Sequence, residues 1–157
     1  VYLQTGEFEL ALTQANKTLQ MDRHYPSAFQ TLLRANIQLG RLAEADRTLD
    51  EELRMFSDKA LIPWQAYLLA RAGRVKEARV LFQEEGNRNR KNPHPSLGHA
   101  AALLAMDGPD AALAALSDSV SAHVGSMQWI WTAPELEPLH ADPRFREIAA
   151  MTGKVLP

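Results

Sequence analysis

The side chains that could do chemistry are scattered along this chain. There are five histidines, His24, His94, His99, His123 and His140, and only His94 and His99 lie close together. Their five-residue step starts in the run Pro93-His94-Pro95, which does not put two imidazoles on one helical face as a zinc-binding helix does. Adjacent acids such as Glu51 and Glu52, or Glu84 and Glu85, could share acid–base work only if burial split their pKa values. In charged helical sequence they read instead as solvated residues. No serine stands in an activating context, and no phosphate loop, dinucleotide fingerprint or nucleophile elbow is present. With no cysteine, thiolate nucleophiles and cysteine-bearing zinc sites drop out, and a reducing compartment is suited. The expectation is a non-enzyme with no catalytic residues, no metal and no cofactor.

Charge is the next source of chemistry. The net charge of -2 provides no overall field to gather nucleic acid. One local run is basic: Arg71, Arg74, Lys76, Arg79, Arg88, Arg90 and Lys91 against Glu77, Glu84 and Glu85. It lacks interleaved aromatics and any nucleic-acid motif, so an acidic protein suits it better than nucleic acid. No run approaches about eighteen apolar residues, so no membrane insertion is expected. The chain starts at Val1 without a methionine, which leaves open targeting information upstream; the cytoplasm is the expected location.

The elements that must position these residues repeat. Gly6-Glu7-Phe8-Glu9-Leu10-Ala11 aligns with Gly40-Arg41-Leu42-Ala43-Glu44-Ala45 at an offset of 34, and with Gly73-Arg74-Val75-Lys76-Glu77-Ala78 after a further 33. A fourth glycine, Gly108, follows 35 residues on, with Ala112 near the expected alanine position. Glycine closes one helix in the left-handed conformation, and alanine lets the next helix approach its partner.

Apolar residues at helical spacing predict helices over 7–20, 26–39, 42–55, 58–72, 75–86, 96–106 and 109–122. Pro26, Pro95 and Pro109 mark helix starts, and within the polar run 84–95 Gly86 is expected to end a helix, with an inter-repeat loop after it. The last thirty or so residues differ. Met127, Trp129, Ile130 and Trp131 form an aromatic segment, and Asp142-Pro143 opens a helix that Gly153 stops. These residues, tryptophans included, are expected to cap the array rather than to cage a ligand. The predicted layout is one domain: a partial repeat 1–24, repeats at about 25–57, 58–92 and 93–124, and a cap 125–157.

Glycine, aromatic or aliphatic residue, and alanine at this spacing resemble the tetratricopeptide repeat up to about residue 122. Asn36, where an aromatic is common, and Arg23, where a proline is usual, depart from it. The resemblance implies an all-α right-handed superhelical solenoid of antiparallel helix pairs with a C-terminal capping helix. The tail from Pro134 to Phe145 resembles the ends of such regions in bacterial multidomain signalling proteins. The tail implies a regulatory, partner-sensing region, and the repeat implies protein–protein interaction through a concave face lined by the first helix of each pair. Carried over, that face comprises Gln30, Arg34, Ile37 and Gln38, then Pro63, Tyr67 and Arg71, then Met106, flanked by Ser27, Ala60, Ala70, Gly98, Ala102 and Ala105. Arg34 and Arg71 would hold a carboxylate, and Tyr67 would add ring area and a hydroxyl. The expected partner is a protein or peptide, acidic ones included. The alternative is a ligand-sensing or self-association region, forming homo-oligomers, within a larger transcriptional or signalling regulator.

Overall fold

A computed structural model describes residues 1–56, 62–88 and 95–153. All regular structure among them is helical: α1 (Phe8–Met21), α2 (Pro26–Gln38), α3 (Leu42–Phe56), α4 (Ile62–Arg71), α5 (Val75–Arg88), α6 (Leu97–Asp107), α7 (Pro109–Ser121) and α8 (Pro143–Ala150), with 3₁₀ segments Gly125–Thr132 and Pro134–Leu139 before α8. The chain divides into two compact units, Val1–Leu61 and Ile62–Pro157. In the first, α2 packs against both α1 and α3; in the second, α4 packs against α5 and α6, and α6 against α7. The protein is an all-α bundle with tandem helix-pair packing.

The glycine repeat has a single structural cause. Gly40 and Gly73 have φ of +72° and +79°, a left-handed conformation with little steric cost only for glycine. Each is followed by a residue whose N–H reaches five positions back: Arg41 donates to the Asn36 carbonyl at 2.8 Å and Arg74 to that of Leu69 at 2.9 Å. The glycines themselves donate to Ile37 and Ala70, completing the two bonds of a Schellman ending. The same long bond, from Glu7 to Tyr2 at 3.0 Å, closes the turn before α1. At the end of α7, His123 takes the left-handed position with φ +56°, and Val124 donates to Ser119 at 3.0 Å.

The fourth repeat departs for a reason visible in one residue. Pro109 follows Gly108 and has no N–H to send back, so the long bond cannot form. Gly108 instead closes α6 through its own N–H to Leu104, and α7 begins one residue after the glycine rather than two. Alanine nevertheless keeps its place. Ala11, Ala45, Ala78 and Ala112 each stand fourth in their helix, and each donates the first helical hydrogen bond, to Glu7, Arg41, Arg74 and Gly108. All four are buried, as close helix approach requires.

Local caps fix the remaining starts. The Ser96 N–H donates to Nδ1 of His99 at 2.9 Å, and Asp142 Oδ1 accepts the Arg144 N–H at 2.9 Å. These side chains satisfy amide donors that a helix start leaves open. The C-terminal segment buries Ile130, Leu136, Leu139 and Phe145, each contributing roughly 1.5–3 kcal/mol of apolar burial. Its 3₁₀ segments touch α6, the first also touches α7, and α8 packs on α7. Arg144 adds a clamp across that seam, bonding Asp110 at the start of α7 at 2.8 Å as well as its own cap, Asp142.

Two local expectations are corrected. α5 runs through Gly86 to Arg88, because helical hydrogen bonding tolerates a glycine at about 1 kcal/mol. The loop expected after Gly86 therefore does not begin there, and residues 89–94 lie outside the described residues. Glu52 is buried at 1% exposure, not solvated, since it falls three residues beyond Leu49 on the inward face of α3.

Candidate functional site

On α2, Gln30, Arg34 and Gln38 recur every fourth residue and form a half-exposed stripe. The Nε2 of Gln38 is buried without a hydrogen-bond partner among the described residues. Ile37, also expected on this face, is fully buried at 0% exposure. It serves the core of the first unit, and its carbonyl accepts the Gly40 N–H.

On α4, Pro63, Tyr67 and Arg71 have the same spacing. Pro63 and Tyr67 are buried, so the ring area expected of Tyr67 is not on the surface. The phenol acts on its neighbour instead. Its hydroxyl accepts a hydrogen bond from Arg71 Nη1 at 2.9 Å, and Arg71 Cζ lies 5.8 Å from the ring centroid. Trp64 meets the same ring edge-on at 6.1 Å. Arg71 is exposed and has its direction set by a buried aromatic, the arrangement in which a cation–π contact and a hydrogen bond reinforce each other.

The small residues of α6 have a different use from the one expected. Gly98 and Ala102 are buried, and a Cβ at Gly98 would stand 3.1 Å from Trp64 Cε2 and 3.2 Å from Pro63 Cβ. Smallness here admits α4, not a partner. Met106 is half-exposed, and its carbonyl accepts from Arg79 Nη2 at 3.3 Å, while that guanidinium also pairs with Asp107 at 2.5 Å. Ala60 lies outside the described residues, as do Arg90 and Lys91 of the basic run. Arg74 of that run pairs with Glu77 at 2.6 Å and holds its carboxyl below the usual carboxylate range.

Elsewhere the titratable groups serve the framework. Arg41 grips Glu9 with both terminal nitrogens, at 3.1 and 2.6 Å, which raises its pKa. The side-chain hydrogen bond from Arg144 holds Asp142 below its ordinary value. His140 lies flat against Trp131, 4.5 Å between centroids, and 5.3 Å from Phe145. Burial lowers its pKa, opposed by the charge of Glu137 and a hydrogen bond with the Trp131 backbone. Trp131 thus packs into the C-terminal segment, whereas Trp129 stays 43% exposed.

Among the described residues no group of three or more His, Cys, Asp or Glu could hold a metal ion, and no helix is long and apolar enough to cross a membrane. Sequence reasoning missed the support that Tyr67 gives Arg71, although the i, i+4 spacing of a tyrosine and an arginine was the signal that could have revealed it. No family model, curated protein or solved structure matches the chain.

Proposed function

We propose that this chain is a protein-interaction module of tetratricopeptide type, its helix pairs continuing as a right-handed superhelical solenoid, and that it binds an acidic peptide or neighbouring domain through Arg34 and Arg71. The observation that carries the reading is the exposed Arg71 guanidinium, oriented by the buried Tyr67 through a 2.9 Å hydrogen bond. A preoriented fork loses less freedom on meeting a carboxylate than a free arginine does. Arg34, half-exposed between Gln30 and Gln38, offers the same chemistry from α2. The repeated helix endings and the fourth-position alanines support the repeat assignment. The module does not catalyse; it holds.

The test is fluorescence anisotropy with a panel of labelled acidic peptides, against the parent and the charge-reversed variants Arg34→Glu and Arg71→Glu. Each reversal should weaken binding at least about tenfold, since breaking a charge-assisted bond costs roughly 1.5–3 kcal/mol. Binding that ignores both reversals would refute the site.

A further inference from the structure

In the first unit, the C-terminal halves of α1 and α3 lie on either side of α2 and leave a cleft of about 460 Å³, lined by Asn16, Leu19, Gln20, Arg23, Phe29, Leu32 and Glu51. That is the size of sites that take small molecules. Its base is apolar: Phe29 is buried and Leu19 and Leu32 are half-buried. Above them stand two side-chain amides and two charges of opposite sign. Arg23 follows the end of α1, and Glu51 projects from α3.

Both charges of the cleft are available to a ligand. Two other acids along α3 are engaged within their own helix, Glu44 by Arg47 at 3.1 Å and Asp50 by Arg54 at 3.8 Å. Arg41 is held by Glu9. Arg23 and Glu51 form no ion pair or hydrogen bond with any described residue, and they face one cleft without meeting each other.

We propose that this cleft binds a short zwitterionic peptide of two or three residues, its ammonium on Glu51, its carboxylate on Arg23 and its apolar side chains over Phe29 and Leu32. A guanidinium matches a carboxylate in geometry, and a carboxylate accepts the donors of an ammonium. Asn16 and Gln20 supply the donors and acceptors that a peptide bond needs. The site is open to solvent, so affinity is modest, with a Kd on the order of 1 mM. It is separate from Arg34 and Arg71 and does not depend on their role.

The experiment is a ¹H–¹⁵N NMR titration of the whole chain with the dipeptide Leu-Leu, its N-acetyl form and its C-terminal amide. Saturable shifts are expected at Asn16, Gln20, Arg23, Leu32 and Glu51, with either blocked form binding several-fold more weakly. The variants assign the ends. Glu51→Gln should bind the free and N-acetyl forms alike, and Arg23→Gln should bind the free and amidated forms alike. Both positions are exposed, and unchanged far-UV circular dichroism verifies their folding. Equal binding of all three ligands to the parent, or no saturable shift up to about 20 mM, overturns the proposal.

Discussion

Replacing Gly98 with alanine puts helix propensity and packing in direct opposition, and the sign of the result decides between them. In a free helix interior the change stabilises by about 1 kcal/mol. At Gly98 the added Cβ would lie 3.1 Å from Trp64 Cε2, 3.2 Å from Trp64 Nε1 and 3.2 Å from Pro63 Cβ. Optimal carbon contacts are about 3.5–4.0 Å, so all three are too short by a few tenths of an ångström. Neither neighbour yields easily. Pro63 is locked into the first turn of α4, and the indole of Trp64 is 7% exposed. The two helices must therefore separate, and overpacking of this kind costs about 1–3 kcal/mol. After subtracting the propensity gain, we expect Gly98→Ala to lose about 1 kcal/mol. With a urea m-value of about 2 kcal/mol/M, the midpoint falls by about 0.5 M, measured by tryptophan fluorescence and circular dichroism together. A midpoint that rises by a similar amount would show that α4 and α6 do not approach as closely as described.

Further expectations come from the helix ends and the C-terminal stack. Gly40→Ala meets no atom within 4 Å but keeps φ at +72°; its net cost is about 1 kcal/mol of backbone strain, whereas His123→Gly, at φ +56°, should be neutral or stabilising in the same urea assay. Ala78→Leu adds three carbons at a site with 0% exposure and should cost about 1–3 kcal/mol, read as a lower urea midpoint. His140 has its pKa lowered by burial, so folding is favoured above its ordinary value of about 6.5, and that contribution is lost as pH falls below it. Stability should drop between about pH 7 and 5, less so in His140→Phe, as followed by urea midpoints at each pH; an identical pH dependence in both proteins would refute the assignment.

Much of the fold was legible because its punctuation is local. A glycine closing a helix or turn and an alanine at the fourth position of the next helix are decided within one turn, and they recur at Gly6, Gly40 and Gly73 with little dependence on distant residues. Proline starts were equally legible at Pro26, Pro109 and Pro143, whereas Pro95 stands outside α6, just before its cap Ser96. What could not be seen was the consequence of putting Pro109 directly after Gly108. Sequence shows Ala112 one position early, and only the missing N–H explains why the turn is shorter and the alanine is still in register. His123 was hidden for the converse reason: it fills a glycine's conformation without being a glycine. Gly86 carried the opposite ambiguity, a glycine that ends nothing, because helix ends are set by the bonds beyond them rather than by residue type alone.

The exposure of the polar positions Gln30, Arg34, Gln38 and Arg71 was legible, and the burial of the apolar positions beside them was not. A helix in a tandem array touches two neighbours, as α4 touches α5 and α6, so the buried arc is wider than a single amphipathic stripe suggests. Pro63, Trp64, Ala66, Tyr67, Leu68 and Ala70 all fall within it, Ile62, Gln65 and Leu69 are half-buried at its border, and Arg71 is exposed. A register carried from one helix to the next thus finds positions that share a side of the helix but cannot tell an exposed residue from a buried one that supports it. Tyr67 belongs to the second kind. Its burial and its bond to Arg71 make orientation of the guanidinium its contribution, and a partner would register the phenol only through the arginine it steadies.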